Sequence, residues 1–178
     1  FKTSNAKKAY WINTYNALIL KIMIDNPSKN ILEILSGPSI FGSFIFFQKF
    51  KIGGEMLSPH YIEHKILRKL DDPRIHFAIN CASKSCPPLG NRILKGENLD
   101  KQLDEKAVKF INSKEHVYLD NENKIIYLNK IFKWFKKDFG DLKLYICKYL
   151  DSNIVYEDIY NYQISFFEYD WSSNGINS

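Results

Sequence analysis

Residues 6–24 read AKKAYWINTYNALILKIMI, and this stretch decides the fold that the sequence predicts. Wound at 3.6 residues per turn, it carries apolar side chains on every side, and a helix that is apolar all round is normally buried. Pro27 and Ser28 follow, and a proline disfavours helix in the residue before it. The sequence therefore predicts a buried central helix near the N terminus.

Composition favours one folded domain that spans residues 1–178. The chain has 178 residues, 45% of them hydrophobic and 15% aromatic, which is enough for a core of ordinary size. Periodicity and turn residues predict the remaining elements. They are a short helix at 31–35, a loop at 37–42, strands at 44–52, 117–119, 125–128 and 164–171, and helices at 58–70, 99–111, 131–139 and 142–150.

The segment from Arg74 to Asn80 gives the clearest strand pattern. Alternate residues place Ile75, Phe77 and Ile79 on an apolar face. The opposite face then carries Arg74, His76 and Asn80, so we expect these three polar side chains to reach a common pocket. Together with the helix, these strands predict an α+β fold in which the central helix packs on an antiparallel sheet.

Charge and hydropathy exclude two classes of partner. The net charge of +5 comes from 25 basic and 20 acidic residues scattered along the chain, without the basic block that tracks nucleic acid. No apolar run reaches the roughly 18 residues that a membrane span needs. The chain begins at Phe1 rather than Met, so the sequence does not decide the cellular compartment. A secretory leader upstream of Phe1 is one of the possibilities.

Cys86 is the candidate nucleophile. It precedes Pro87, so it is held in an extended conformation and cannot open a helix. Its thiol would need a neighbouring cation or imidazole to acidify it, and Lys84 and His76 are available. Cys81 continues the apolar face of the predicted strand and Cys147 lies among leucines, so we expect both to be buried structural residues. Three cysteines are too few for a disulfide-built scaffold.

Two further groups of polar residues point to the same region. His60, His64 and Arg68 follow one another at four-residue spacing and share a helix stripe, with Glu63 beside it. They form either a solvated face or contacts to a substrate carboxylate and anchors for the cysteine loop. A zinc site built from two histidines and two cysteines, His60, His64, Cys81 and Cys86, is a further alternative.

Asn13 and Asn16 stand inside the most apolar helix, three residues apart on neighbouring turns. Buried amides must find partners. These two either tie the central helix to a loop or present donors to an oxyanion in a pocket. The sequence leaves both readings open.

The motifs of this chain resemble those of the domain-of-unknown-function family 547. The resemblance rests on AYWINTYNAL at 9–18, on Leu57-Ser58 with Ile62-Glu63-His64 and Leu67-Arg68, and on PRIHFAINCASKSCPPL at 73–89. Trp134, Asp138-Phe139-Gly140 and Tyr169-Asp170-Trp171 fit the closing pattern. Position 60, where the family tends to an acidic residue, is histidine here, which weakens the zinc alternative. The resemblance implies a fold and a set of marked positions, and it implies no activity.

The leading hypothesis is a cysteine-dependent hydrolase or acyl transferase, with a fold broadly similar to papain-like or transglutaminase-like proteins. Cys86 would be the nucleophile, His76 or His64 the base, and Asn80 the orienting amide. Residues expected to line the binding part of the pocket are Asn13, Asn16, Glu63, Arg68, Arg74, Lys84 and Ser85. The alternative is a non-catalytic module that grips a peptide or a small anion. No cofactor and no resident metal are expected, and the substrate is unknown.

Overall fold

The computed structural model describes residues 1–26, 44–151 and 153–174, and it confirms the predicted α+β class. The chain divides into two compact units. Unit 1 comprises Phe1–Leu99 together with Asp170–Ser178, and unit 2 comprises Asp100–Tyr169. The expectation of one domain stays a prediction, and so does the likeness to papain-like or transglutaminase-like folds. The predicted helix at 31–35 and loop at 37–42 lie outside the described residues.

Helix α1 (Ser4–Asp25) is the long N-terminal helix of unit 1. Thr3 caps it, because its hydroxyl accepts a hydrogen bond from the Ala6 amide at 3.0 Å. One stripe is buried, consisting of Lys8, Ala9, Ile12, Tyr15, Leu18, Ile19 and Ile22. Tyr10, Leu20 and Ile24 are exposed, so the prediction of a helix buried all round is wrong for its outer face. No described helix combines the length and apolarity needed to cross a bilayer.

A hairpin follows in unit 1, after the short helix α2 (Phe44–Phe47). Strands β1 (Phe50–Ile52) and β2 (Glu55–Leu57) pair in antiparallel fashion. Gly53 and Gly54 make the turn with φ of 58° and 94°, a region that side chains disfavour. The predicted strand at 44–52 therefore begins only at residue 50, because a short apolar run does not distinguish helix from strand.

The segment that Ser58 and Pro59 open is helical, as predicted, but it changes its winding twice. Ser58 accepts a hydrogen bond from the Tyr61 amide at 3.2 Å and caps helix α3 (Pro59–Tyr61). A π-helical turn at Ile62–Ile66 and a 3₁₀ turn at Leu67–Leu70 follow. Asp71, with φ of 51°, ends the segment.

The predicted strand at 74–80 is wrong, because Pro73–Phe77 form a 3₁₀ helix. Asp72 caps this turn by accepting a hydrogen bond from the Arg74 amide at 3.1 Å, and a proline occupies its first position. Capping and proline geometry outweigh an alternation of only seven residues. Within unit 1, α1 consequently packs on helical turns at 62–70 and 96–98 instead of on a central strand.

Unit 2 combines helices with a three-stranded sheet. Helix α4 (Leu99–Ile111) leads into it and confirms the predicted helix. Strands β3 (Val117–Asp120) and β4 (Ile125–Leu128) are antiparallel, whereas β5 (Gln163–Phe166) runs parallel to β4. The sheet is therefore mixed where an antiparallel one was predicted. The remaining helices are α5 (Lys130–Trp134), α6 (Lys136–Phe139), α7 (Leu142–Cys147) and α8 (Tyr156–Ile159).

Candidate functional site

Cys81 and Cys86 form a disulfide in unit 1 that closes a short loop. Their Cα atoms are 6.2 Å apart, inside the usual range for a bridge. Cys81 is half-buried, whereas Cys86 is only 7% exposed. The sequence predicted that Cys81 is a buried structural residue and that Cys86 is a reactive thiol. In the structure both belong to one disulfide, so neither sulfur is a thiol in this state.

Asn80 holds the loop at both ends. Its side-chain carbonyl accepts a hydrogen bond from the Ala82 amide at 2.6 Å, and its side-chain amide donates to the Pro87 carbonyl at 2.7 Å. Ala82 has φ of 66°, a left-handed conformation that is uncommon for a residue with a Cβ. The Asn80 side chain thus fixes the turn that brings the two cysteines together.

The two asparagines of α1 anchor neighbouring backbone. Asn16 donates to the Ala78 carbonyl and accepts from the Asn80 amide, both at 2.9 Å. Asn13 clasps Leu94 in the same way, with distances of 2.8 and 3.0 Å. Of the two readings of these amides, the structure shows the tie between helix and loop. These bonds take up the carbonyl oxygen and one N–H of each side-chain amide.

Residues 170–174, the C-terminal strap, run antiparallel to the loop. Ser83 and Ser173 form the central bridge. Three backbone hydrogen bonds flank it, from Lys84 to Ser172 at 2.9 Å, from Ser85 to Asp170 at 3.2 Å, and from Asn174 to Ala82 at 2.9 Å. The Asp170 amide also donates to the Ser85 hydroxyl at 2.9 Å. Lys84 is exposed and Ser85 is half-buried.

Two polar groups lie directly against the sulfur atoms. The Cys81 backbone amide points at Cys86 Sγ over 3.0 Å. The Ser83 hydroxyl lies 3.1 Å from Cys81 Sγ. A hydrogen bond donated to a sulfur stabilises its thiolate over its thiol. If the disulfide opens, the Cys81 amide can only donate and therefore favours a negative charge on Cys86, whereas the Ser83 hydroxyl can either donate to Cys81 Sγ or accept from it.

His76 lies in the core of unit 1, with an exposed fraction of 2%. The prediction that it shares a polar strand face with Arg74 and Asn80 is wrong, because the segment winds as a 3₁₀ turn. Arg74 turns back to Asp72, and Asn80 turns to the loop. Whether His76 acts as a base stays a prediction.

Asp72 is the centre of a buried ionic cluster. Arg74 donates to it through Nε at 2.9 Å and through Nη2 at 2.8 Å, and the Lys8 ammonium of α1 donates to the same carboxylate. Burial by itself would raise the pKa of Asp72, but the hydrogen bonds from Arg74 and Lys8 outweigh it and lower the pKa to about 2. The Arg74 guanidinium therefore forms an ion pair with the Asp72 carboxylate.

The stripe of His60, His64 and Arg68 forms as predicted. The imidazole rings lie 4.4 Å apart, and Phe47 packs on His60 at 4.5 Å. Burial and then the charge of Lys65 lower the pKa of His60. Arg68 Nη1 lies 2.9 Å from His64 Nδ1. Because arginine can only donate, Nδ1 must accept and the ring proton of neutral His64 sits on Nε2.

The zinc alternative loses two of its four ligands, because the disulfide takes both sulfur atoms. In the three described ranges, no cluster of three or more His, Cys, Asp or Glu side chains is placed to hold a metal. Glu63 is also buried, at 9% exposure, so it does not belong to a solvated stripe.

Sequence reasoning missed both the disulfide and the cluster around Asp72. A signal for the cluster was present, because Asp72 before Pro73 is a helix-capping pattern and Lys8 is a charge inside an apolar helix. The disulfide had a weaker signal, which was two cysteines five residues apart around a polar turn. Cys147, expected in the core, is half-buried.

One protein family matches a part of the chain that contains this site. Residues 2–111 match the family described as "Protein of unknown function, DUF547". The matched range contains the cysteine loop, the α1 asparagines and Asp72, while the closing pattern at 134–140 and 169–171 lies beyond it and stays a prediction. No curated protein and no solved structure matches the chain significantly. Since the match covers more than half of its length, the chain belongs to the DUF547 family.

Proposed function

We propose that Cys81 and Cys86 form a redox-active pair and that this protein exchanges disulfides with a thiol-bearing partner. The observation that carries the proposal is the asymmetry of the bridge. Cys81 is the more exposed residue, and the sulfur of buried Cys86 receives a backbone hydrogen bond. An attackable sulfur joined to a stabilised leaving group is the arrangement that exchange requires.

In the first step, a partner thiolate attacks Cys81 Sγ and forms a mixed disulfide. The bond to Cys86 breaks, and Cys86 leaves as a thiolate that accepts the Cys81 amide hydrogen bond. A second partner thiolate then attacks the partner's own sulfur and releases Cys81. The partner gives up two electrons and becomes a disulfide, while the protein becomes a dithiol and takes its protons from water.

Disulfide exchange suits this site better than acyl transfer does, because disulfide exchange forms no oxyanion that the site would have to stabilise. Acyl transfer needs preorganised donors aimed at a developing negative oxygen. One N–H of each of the Asn13, Asn16 and Asn80 side-chain amides donates to a backbone carbonyl. The backbone amides of Cys81, Ala82, Lys84, Ser85 and Cys86 are likewise engaged within the loop or by the strap.

The cysteine hydrolase or acyl transferase is a second candidate, confined to the reduced protein. The Cys81 amide that favours a Cys86 thiolate also supports Cys86 as an acyl acceptor. His76 or His64 would serve as the base. In this case the disulfide is a protected form of the nucleophile. The binding-module alternative retains Arg68, Lys84 and Ser85, since Asp72 engages Arg74.

The test compares the two single-cysteine variants of the pair in a Cys147→Ser background. Each folded variant is incubated with glutathione disulfide, and adduct formation is followed by mass spectrometry. We expect the Cys86→Ser variant, which keeps Cys81, to form its adduct at least about tenfold faster than the Cys81→Ser variant, because poor access to buried Cys86 outweighs its larger thiolate fraction. The unsubstituted protein should pass reversibly between disulfide and dithiol in glutathione buffers.

A disulfide that resists reduction until the protein unfolds would show a structural bridge and end the proposal. The hydrolase candidate is tested separately, with the reduced protein and p-nitrophenyl acetate. An acetyl group that accumulates on Cys86 and disappears in Cys86→Ser would favour acyl transfer over exchange.

A further inference from the structure

We infer that the C-terminal strap occupies the place of an extended polypeptide substrate, so that the exchange partner is a cysteine-bearing peptide segment in β conformation. The inference rests on the proposed exchange at Cys81 and adds the class of substrate. It starts from the way in which residues 170–174 lie along the cysteine loop.

Backbone hydrogen bonds join the strap to the loop. Three backbone hydrogen bonds and one bond to the Ser85 hydroxyl hold it, and the pairing is antiparallel. Backbone pairing of this kind accepts many sequences, and addition of a strand to an exposed edge is a common mode of peptide recognition. The Ala82 carbonyl and the Lys84 and Ser85 amides can therefore serve another strand equally well.

The register of the pairing sets which strap side chain lies beside the disulfide. Ser173 is directly opposite Ser83. Directly opposed residues point to the same face, with Cβ atoms roughly 4.5–5.5 Å apart. The Ser83 hydroxyl is 3.1 Å from Cys81 Sγ, so the residue opposite Ser83 is the one positioned to deliver a sulfur to Cys81.

The strap could be replaced by another strand without a net loss of backbone hydrogen bonds. Its ends, Asp170 and Asn174, are exposed. An incoming strand would form the same backbone hydrogen bonds that the strap gives up, so the number of these bonds would stay the same. A peptide thiolate opposite Ser83 would then attack Cys81 Sγ and expel Cys86 as the thiolate.

The first experiment places a thiol in the strap of the full chain. In Ser173→Cys, the introduced sulfur should attack Cys81, form a new disulfide between positions 81 and 173, and release Cys86 for alkylation. Ser172→Cys is the matched control, because successive residues of a strand point to opposite sides. Peptide mapping without reduction identifies the bridge in each variant.

We expect the rearranged bridge in Ser173→Cys and the Cys81–Cys86 bridge in Ser172→Cys. An unchanged bridge in both variants, or the same rearrangement in both, would overturn the inference.

The second experiment measures exchange in trans. The probe is a peptide with the sequence of residues 169–174 and cysteine in place of Ser173, and its scrambled version is the control. We expect the ordered peptide to react faster than the scrambled one.

The outcomes separate the two proposals. If glutathione opens the disulfide but the ordered peptide has no advantage over the scrambled one, the strap inference fails and the proposed function stands. If neither glutathione nor the peptide reacts with the folded protein, the exchange function itself fails.

Discussion

Asp72 shows how one side chain can connect several parts of unit 1. It caps the turn at 73–77, receives two hydrogen bonds from the Arg74 guanidinium, and pairs with Lys8 of α1. Removing one partner from a buried ionic cluster leaves an uncompensated charge, which is strongly destabilising. The ionised form of Asp72 is therefore part of the folded structure.

This cluster makes stability depend on pH in an acidic window. The pKa of Asp72 is about 2 in the folded protein, below its usual value near 4. Its contribution is complete above pH 4 and disappears as the pH falls from about 4 to about 2. Allowing for solvent screening, we expect a loss of about 1–2 kcal/mol, measured as the free energy of urea unfolding.

Asp72→Asn is the control for this prediction, because it cannot titrate. Its free energy of unfolding should be lower than that of the unsubstituted protein at pH 6 and should fall less steeply towards pH 2.5. Parallel pH profiles for the two proteins would contradict the assignment of Asp72.

Asn80 supports the second prediction at this scale. Asn80→Ala leaves the Ala82 amide and the Pro87 carbonyl, both in buried residues, without these partners. Each unsatisfied buried group costs about 1–3 kcal/mol, so we expect a loss of about 2–4 kcal/mol in urea unfolding. Asn98→Ala, at an exposed position, is the control. A loss below about 0.5 kcal/mol in Asn80→Ala would contradict this role.

Helix α1 and the 3₁₀ turn at 96–98 approach each other closely. A Cβ added at Gly96 would lie 2.7 Å from Ala6 Cα and 2.8 Å from Ala6 N. Backbone atoms cannot move aside as a flexible side chain can. The absence of a side chain at residue 96 is thus a condition for this packing.

Gly96→Ala should therefore force α1 and the turn apart. We expect a loss of about 1–3 kcal/mol in the free energy of unfolding, the usual cost of overpacking. Glu97→Ala, on the same turn and exposed, should change stability by less than about 0.5 kcal/mol. Equal effects of the two substitutions would show that the close approach does not limit stability.

The elements also show which local signals suffice for prediction. Thr3 and Ser58 cap helices as their types and positions suggest, and the hairpin of β3 and β4 forms around the turn at 121–124. These features depend on neighbours in sequence. The segment at 74–80 misleads because seven alternating residues fit a strand, while one capping carboxylate at Asp72 selects the 3₁₀ turn.

The site was harder to predict than the elements, because its contacts join distant residues. The bridge depends on the left-handed Ala82 and on Asn80, and Asn80 in turn depends on Asn16, 64 residues earlier. The periodicity of apolar residues gives no information about contacts between residues that lie 64 positions apart. The sequence could mark Cys86, Asn80 and Asn16 as candidates, but only the folded chain shows that the amides brace the loop.

For the whole molecule, the disulfide is a modest contributor to stability. It joins residues separated by five positions, and a loop of that size corresponds to about 2 kcal/mol in the chain-entropy model. We expect the Cys81→Ser, Cys86→Ser double variant to lose about this amount and to keep its near-ultraviolet circular dichroism. Loss of that signal at neutral pH would mean that the bridge is required for folding, which is incompatible with reversible exchange.

The prediction of a single domain is also tested at this scale. Trp11 and Trp171 lie in unit 1 and Trp134 lies in unit 2. Fluorescence of Trp134→Phe therefore reports on unit 1, and that of a Trp11→Phe, Trp171→Phe variant reports on unit 2. If the chain is one cooperative domain, both should give the same urea midpoint as circular dichroism. Two separate midpoints would show two domains.

The burial of Lys8 has a consequence for amine chemistry. Acylating reagents and acetyltransferases need an accessible, uncharged amine, and the Lys8 ammonium is enclosed against Asp72 with 6% of the residue exposed. Acetylation at this position therefore requires α1 to be detached from the rest of unit 1. An acetyl group there would remove the charge that Asp72 needs and prevent the helix from docking again. Acetylated Lys8 would mark chains that had not completed folding.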